Sequence, residues 1–488
     1  MIASAGVAML VAVAVLLIAT GLPAWIVLIG VASASAVAGL AGGVFALPIL
    51  TAIPARLVGL MDNDLLQALP LYVLMGALLH RLPFARHLFR VGSYALDRSG
   101  AGAILSGLGL GALLAPMNGS VGASVAMLGR AVMPGLKDAG VATDQAAALV
   151  CVASTLGVVI PPSLVLILLA DAMMRAHTEA VNATGIAVRI INTQDIFNGA
   201  LVPALILLVA YAAAAWWCSR RDNRQPIRPA RPSAQEWTTA IATLVLIGTL
   251  LTGVTLGYLY AVEAAATGGV ALTIAGLATR ALTPAVLRAA LRDTLALTGA
   301  LFALLVGATT FTLVARAFGT DRWLADVVAA LPGGASMTLA IALSGLALCA
   351  LVLDAFELIF VVVPILMPPV LMRVDDATWV AVLTLLILQL GFLMPPFGYA
   401  VLMIRRQLPA GLAPALLARA LVPYLIVQAA VLALVIAEPS VVWHRNPSRL
   451  ESASPPTGGD EEARRMLERQ LNRNDESNTT PDGSLQSQ

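Results

Sequence analysis

The chain is predicted to be an all-α polytopic membrane protein made of two inverted repeats, each holding a re-entrant hairpin and an interrupted helix. Three observations lead there. Of its 488 residues, 59% are hydrophobic and 11% charged, with a mean hydropathy of +0.89, a balance that soluble domains do not show. Adjacent prolines break two of its long apolar runs, in Gly157-Val158-Val159-Ile160-Pro161-Pro162-Ser163-Leu164 and in Gly391-Phe392-Leu393-Met394-Pro395-Pro396-Phe397-Gly398. The two breaks match at a fixed offset in sequence number, from Pro161 to Pro395, and other landmarks keep that offset.

The first break sits in a run, Gln145 to Ala170, that has no charged residue and is long enough to cross a bilayer. Each proline removes an N–H and clashes one turn back, at about 3 kcal/mol in a helix interior. The pair strands the carbonyls of Gly157 and Val158, and Ile160 is pushed out of α geometry by the proline after it. In lipid, such groups survive only where protein or a polar cavity receives them. The run is therefore read as a helix that crosses in two halves, with a polar break at mid-depth.

Composition excludes several function classes. A net charge of +2 does not suggest nucleic acid. Cys151, Cys218 and Cys349 lie far apart in apolar runs and read as small buried hydrophobes, not as a disulfide or metal set. His80, His87, His177 and His444 form no ligand cluster, and there is no Walker A loop for ATP hydrolysis. The N-terminal stretch, Met1 to Thr20, lacks a basic n-region and reads as a span rather than a cleaved signal.

In chain order, residues 1–50 hold two spans and 51–64 a loop. Residues 65–79 form a short span or partly interfacial helix. Arg81, Arg86, His87, Arg90 and Arg98, punctuated by Pro83, suit an amphipathic helix on the cytoplasmic surface. Two short arms, 100–116 and 121–135, flank Pro116-Met117-Asn118-Gly119-Ser120 and read as a re-entrant hairpin, with two spans and a tight turn as the alternative. The interrupted helix, 143–170, follows, then a polar loop over 171–195 and a span at 197–218. Residues 219–232 carry five arginines (220, 221, 224, 228 and 231) against Asp222, which places them in the cytoplasm. Spans at 236–259 and 261–279, a basic surface segment Arg280–Arg292 and a span at 294–315 come next. A second hairpin has arms 336–352 and 356–372 around Asp354. The second interrupted helix is 377–404, and a last span covers 417–437. From residue 444 to 488 the chain is polar without periodicity and reads as a disordered tail.

The repeat rests on spacing. Met133-Pro134 and Met367-Pro368 share the offset of the proline pairs, 234, while Gly157 falls on Gly391 and Ser120 on Asp354. Downstream, Ala200-Leu201-Val202-Pro203 recurs as Ala420-Leu421-Val422-Pro423 at an offset of 220, as expected if a loop is inserted in the first half. With 219–232 inside, counting spans makes the first interrupted helix run inside to outside and the second outside to inside. Inverted repeats whose broken helices meet at the midplane are the architecture of secondary transporters. The division that follows is 1–98 scaffold spans and amphipathic arm, 99–170 first transport half, 171–335 periplasmic loop, scaffold spans and basic loop, 336–405 second transport half, 406–443 last span, and 444–488 tail.

A buried break leaves free carbonyls on one side and free N–H groups on the other. Carbonyls with nearby hydroxyls suit a hard cation such as Na⁺, and N–H groups at half-helix N-termini suit a carboxylate. The ion-site candidates are Asn118, Gly119, Ser120, Ser124, Thr155, Gly157 and Val158 in the first half, and Asp354, Gln389 and Gly391 in the second. Those for the substrate are Ser154, Pro161, Pro162, Ser163, Pro395 and Pro396. Glu357 and Thr384 are weaker second-half candidates. Acids at membrane depth are functional by default; the alternative is that Asp354 or Glu357 caps a hairpin arm or pairs with an arginine. For Ser154 and Ser163 the alternative is close helix packing. Arg130 reads as a surface anchor, with a substrate clamp as the alternative, and Glu263 as an ordinary interfacial charge.

The run Asn118-Gly119-Ser120-Val121-Gly122-Ala123-Ser124-Val125-Ala126-Met127-Leu128-Gly129, then Met133-Pro134, Ser154 to Ser163, Asp195-Ile196-Phe197, Ala200 to Pro203, Glu263-Ala264-Ala265 and Pro395-Pro396-Phe397-Gly398, resembles the large (DctM-like) membrane subunit of the tripartite ATP-independent periplasmic (TRAP) transporters. With Leu69-Pro70-Leu71-Tyr72-Val73-Leu74-Met75-Gly76, the likeness covers about residues 55–430, in the family's order. Val121-Gly122-Ala123-Ser124 and Pro-Pro-Phe-Gly look most like the branch for mannitol, chloroaromatic or 2-oxo acid uptake. The resemblance implies an elevator-type symporter in the bacterial inner membrane with Na⁺ as coupling ion and no other cofactor. It implies a carboxylate substrate, a small four-helix membrane subunit and a periplasmic binding protein. Many members carry a second Ser at the first tip and a Thr before the second Pro-Pro. Val121 and Met394 stand there instead, and each removes a hydroxyl.

The expected function is the large translocating subunit of a Na⁺-coupled, binding-protein-dependent importer of a small organic acid. The alternative is an elevator-type Na⁺ or H⁺ symporter that works without a binding protein. No four-helix unit of the small-subunit kind is fused to this chain, so the first reading requires a separate partner. A transport-dead assembly protein is a further alternative. An intramembrane enzyme would need paired aspartates or a Ser/His pair at mid-depth, and the sequence supplies neither.

Overall fold

The computed structural model describes residues 5–62, 64–97, 101–185, 190–221, 230–408 and 413–442. The tail expected over 444–488, Arg98 of the basic arm, and Asp222, Arg224 and Arg228 of the arginine-rich segment lie outside these. Every regular element among the described residues is helical. Seven helical stretches among them are long and apolar enough to cross a membrane, or eight if a bent pair counts as one span.

Of the two expected N-terminal spans, α2 (Ala24–Ala41) is long and apolar enough to cross a membrane, while α1 (Ala5–Thr20) is an apolar but shorter helix of 16 residues. The loop expected at 51–64 is instead largely a helix, α3 (Ala52–Met61). Its Pro54 lies in the first turn, where no intrahelical N–H bond is lost. Helix α4 (Asp64–Arg81) bends by 62° into α5 (Phe84–Ala95) at Leu82-Pro83. As the charge pattern predicts, α5 is amphipathic: it buries Phe84, Ala85, Leu88, Phe89 and Val91 and exposes Arg86 and Arg90.

The first hairpin is α6 (Gly102–Leu114) and α7 (Val121–Ala131), followed by the short α8 (Met133–Asp138). The interrupted helix is α9 (Thr143–Val159) and α10 (Leu164–Thr184), joined through a cis Pro161–Pro162 peptide. The polar loop expected at 171–195 is therefore helical as far as Thr184. Asp171 and Arg175 pair one turn apart at 3.1 Å, and Glu179 Oε2 pairs with Arg316 Nη2 at 2.7 Å. Falling hydrophobicity marked where the helix leaves the apolar layer, not where it ends. After α11 (Thr193–Arg221), helix α12 (Ala234–Thr255) starts at a Ser233/Glu236 capping box and pairs Glu236 with Arg90.

Helix α13 (Ala261–Ala278) precedes α14 (Pro284–Ala317), which absorbs most of the segment expected as a basic surface stretch, Arg280–Arg292. Thr283 accepts from Val286 N at 3.3 Å and Pro284 sits at the first helical position, so the helix nucleates before its apolar part. Glu263, between spans, accepts from Tyr260 N at 2.9 Å at the start of α13, an ordinary capping role. Then come α15 (Thr320–Ala330), the second hairpin of α16 (Gly334–Cys349), α17 (Ala355–Glu357) and α18 (Val363–Leu371), the second interrupted helix of α19 (Ala377–Leu393) and α20 (Tyr399–Arg405) with a cis Pro395–Pro396, and α21 (Pro414–Ala437).

The repeat offset holds in three dimensions. Thr143 and Val159, the ends of α9, map by it onto Ala377 and Leu393, the ends of α19, and the cis prolines coincide. It also reaches elements without sequence landmarks, since α15 falls within two positions of α5 shifted by the same amount. The packing identifies the inversion. Helix α7 of the first hairpin packs against α20, and α18 of the second hairpin packs against α10. If the halves pointed the same way, each hairpin and the far half of the other broken helix would lie on opposite sides of the membrane. Their contact requires opposite orientations.

Arg373 closes the second hairpin onto α15. Its Nη1 donates to Val328 O at 2.7 Å, Leu331 O at 3.2 Å and Thr338 Oγ1 at 3.0 Å, and Nη2 donates to Ala329 O at 3.1 Å. The backbone acceptors are carbonyls at the C-terminal end of α15 and of Leu331 just beyond it, where the helical bonding runs out, although Val328 O also accepts from Leu331 N at 3.2 Å. Hydrogen bonds from a charged donor contribute about 1.5–3 kcal/mol. Arg373→Met is accordingly expected to lower the unfolding temperature of the detergent-purified protein, measured by intrinsic fluorescence; an unchanged midpoint refutes the capping role.

Candidate functional site

Three local devices build the first hairpin tip. After α6 the chain tightens into a 3-10 turn, Ala115–Asn118. Gly119 then takes φ 72°, in the left-handed region where a side chain is strained. Ser120 is extended and caps α7, its Oγ accepting from Ala123 N at 3.1 Å. This tight path carries Asn118 inward, to 3% exposure. Asn118 Nδ2 donates to Ser124 Oγ at 3.3 Å, and Ser124 Oγ donates to Ser120 O at 3.1 Å. Asn118 Oδ1 is buried and accepts from no group among the described residues.

The facing wall is α9. Gly157 allows the close approach, since a Cβ there would lie 2.5 Å from the Ala115 carbonyl carbon and oxygen. Between tip and helix is a small cleft lined by Gly119, Ser120, Ser124, Ser154, Gly157 and Leu164. Ser154 Oγ donates to Val150 O at 2.6 Å, which leaves its lone pairs for another partner. Ser163 and Val158 do not line it. Ser163 caps α10, accepting from Leu166 N at 3.1 Å, and its hydroxyl is 3.5 Å from Val158 O, the carbonyl stranded by Pro162. Pro161 and Pro162 are buried beside them.

The second tip repeats the backbone but not the side chains. Asp354 takes the capping place of Ser120: its Oδ1 accepts from Ala355 N at 2.8 Å, and its own N–H donates to Glu357 Oε2 at 3.1 Å. Both acids thus do the capping that the sequence left as an alternative. Gly391 meets the tip as Gly157 does, a Cβ there falling 2.5 Å from Ala350 Cβ. The repeat partners of Asn118, Ser124 and Ser154, however, are Val352, Leu358 and Leu388. Thr384 Oγ1 donates to Val380 O at 2.8 Å, as Ser154 does to Val150 O. At the second break Pro395 is half-buried, Pro396 exposed and Phe397 64% exposed. At the tips themselves, the neutral side-chain oxygens belong to the first tip, at Asn118, Ser120 and Ser124.

Thr155 and Gln389, partners under the same offset, meet where α9 and α19 pack together. Gln389 Nε2 is 3.5 Å from Thr155 Oγ1, which in turn donates to Val152 O at 2.9 Å. Gln389 Oε1 accepts from Gln428 Nε2 at 3.3 Å, and Gln428 Oε1 accepts from Tyr211 OH at 2.6 Å. Gln428 and Tyr211 were not among the sequence candidates. The signal that could have found Gln428 is a lone amide in an otherwise apolar span. Among the described residues no group of three or more His, Cys, Asp or Glu is placed to hold a metal ion.

The profile of the family described as tripartite ATP-independent periplasmic transporter, DctM component, matches residues 10–441. The sialic acid TRAP transporter permease protein SiaT of Haemophilus influenzae is 22% identical over 405 residues, 81% of this chain and 62% of that protein. The C4-dicarboxylate TRAP transporter large permease protein DctM of Rhodobacter capsulatus is 26% identical over 208 residues, 42% of this chain and 47% of that protein. The chain thus spans less than two thirds of the length of each. Both are named as transporter permeases, not enzymes, and neither name supports the narrower mannitol, chloroaromatic or 2-oxo acid branch. The fold is like that of the Alcanivorax borkumensis YdaH transporter, with a TM-score of 0.54 and 14% identity over 81% of this chain and 88% of that one.

Proposed function

Because the chain belongs to the family of the DctM component of tripartite ATP-independent periplasmic transporters, we propose that it is the large translocating subunit of a Na⁺-coupled importer of a small organic acid in a bacterial inner membrane. Its partners are a small four-helix membrane subunit and a periplasmic binding protein. The observation that carries the ion site is the buried, unpartnered Asn118 Oδ1 beside the Ser120–Ser124–Ser154 cleft. A buried acceptor without a donor is costly, and a cation removes that cost. Oxygen ligands from Asn118, Ser120, Ser124 and the Gly119 and Gly157 backbone suit a hard ion such as Na⁺. A second ion at Asp354 and Gly391 would rest on a carboxylate and backbone carbonyls. The substrate carboxylate is received at Ser154 and the Pro161–Ser163 break, with Pro395 and Pro396 opposite.

Reconstitution tests this directly. The three components in proteoliposomes with an inward Na⁺ gradient are expected to accumulate an organic acid from a panel of sialic acid, C4-dicarboxylates and 2-oxo acids. Uptake that needs no binding protein, or that follows a proton gradient in K⁺ buffer, supports the rival symporter instead; no uptake of any acid sinks both.

The hairpins and broken helices form the moving unit; α21 and α11, the latter grouped by sequence with the scaffold spans, pack on α9 and α19 and travel with them. Helices α2, α4 and α14 are the fixed frame. The Glu179–Arg316 pair spans that boundary, from α10 to α14. In a background without the native cysteines, Glu179→Cys with Arg316→Cys, joined by a short bifunctional reagent, is expected to stop uptake. Full uptake after complete cross-linking would exclude sliding of α10 against α14.

A further inference from the structure

We propose that Gln428 is a positioning residue of the ion cleft, acting through Gln389 and Thr155. Gln428 is fully buried on α21 and does not line the cleft. Its Nε2 donates to Leu386 O at 3.0 Å and to Gln389 Oε1 at 3.3 Å, so it grips α19 by main chain and side chain together. Tyr211 OH, on α11, fixes the amide's orientation by donating to its Oε1 at 2.6 Å. Gln389 in turn reaches Thr155 on α9 at 3.5 Å. All four side chains are 0% exposed, in a core of leucine, valine and alanine.

The surrounding contacts are apolar and tolerate a small rotation or slide of α9, because dispersion has little directionality. The amide chain does not. Inside a low-dielectric core each donor that turns away is left unpaired, so the chain selects one rotation of α9. That rotation matters because Thr155 is flanked by Ser154, whose side chain lines the cleft, and lies two positions before Gly157, which meets the tip at Ala115. Turning α9 moves Ser154 out of the cleft and Gly157 off the tip. Thr155 and Gln389 occupy the same place in the two repeats, so this one contact keys both broken helices and α21 in register.

The inference rests on the Na⁺ reading of the cleft, and the probe is Na⁺ alone. The full chain in lipid nanodiscs is heated at rising NaCl, with choline chloride holding ionic strength constant, at low and high pH. Wild type, Gln428→Leu and Gln428→Glu are compared. Gln428→Leu is expected to raise the half-saturating Na⁺ concentration about tenfold at both pH values, the scale of one lost buried hydrogen bond. Gln428→Glu is expected to do so at high pH, where its carboxylate offers Gln389 no donor. At low pH the neutral acid donates to Gln389 Oε1 while its carbonyl still accepts from Tyr211, and the half-saturating concentration returns toward wild type. Because that recovery occurs within one preparation, it separates positioning from misfolding. Lower unfolding temperatures with unchanged half-saturating Na⁺, or a glutamate variant whose Na⁺ response follows pH no differently from wild type, overturn the inference alone. A wild type with no Na⁺-specific shift overturns the Na⁺ reading and this inference with it.

Discussion

Asn118→Leu is expected to make the Na⁺-free protein harder to unfold and to abolish the further stabilisation expected from Na⁺ at the proposed ion site. The two effects have opposite signs for one reason. Asn118 is 3% exposed and its Oδ1 has no donor among the described residues. Leaving a buried acceptor unpaired costs about 1–3 kcal/mol, and leucine of similar shape removes it. The amide's one bond, from Nδ2 to Ser124 Oγ, is lost, but Ser124 still donates to Ser120 O at 3.1 Å. Without Oδ1, however, the region beside the cleft loses its unpartnered amide oxygen. A ligand present at about a hundred times its dissociation constant stabilises by about 2.7 kcal/mol, and that increment should vanish. Thermal unfolding with NaCl against choline chloride reads both. A variant that still gains stability from Na⁺ would show that Asn118 is a packing residue and nothing more.

Gly157→Ala is expected to abolish uptake and to destabilise the fold. The added Cβ would lie 2.5 Å from the Ala115 carbonyl, against backbone that cannot rotate away. Overpacking of this kind costs about 1–3 kcal/mol, and here the relief is a hairpin tip pushed off α9. Gly391→Ala makes the matching intrusion on Ala350. A comparison within the same hairpin is Gly109→Ala, where nothing lies within 4 Å. It is expected to leave uptake and unfolding temperature near wild type, because alanine is the better helix former. Equal losses at Gly109 and Gly157 would show that the glycines matter for helix flexibility, not for the approach of tip and helix.

The tips and breaks were legible because their chemistry is local. Pro161-Pro162 and Pro395-Pro396 fall where α9 and α19 end, although Pro368-Pro369 is held inside α18, and Asn118-Gly119-Ser120 holds a left-handed glycine followed by a capping hydroxyl. The helices at 52–61 and 171–184 were not legible. Over 171–184 the residues are mixed in polarity and Glu179 pairs with Arg316, remote in sequence; at 52–61 Pro54 reads as a breaker but sits in the first turn, where it removes no intrahelical bond. The candidate ion residues divide on the same line. Gly119, Ser120, Ser124, Ser154 and Gly157 line one cleft, and Asn118 is bonded to Ser124 beside it. Thr155 and Gln389, chosen for the same polar chemistry, do not line it: Gln389 reaches Thr155 at 3.5 Å and accepts from Gln428, while Thr155 donates to Val152 O.

By itself the sequence determined that this chain crosses a membrane many times, that its second half repeats the first at an offset of 234, and where each half breaks. Those follow from hydropathy and from proline and glycine geometry, which need no partner. Only the tertiary structure decided which polar atoms remain free. A side chain's hydrogen-bond partners are set by what folds against it: Ser120 and Asp354 both cap their tips, yet Asn118 keeps an empty acceptor and Gln389 does not.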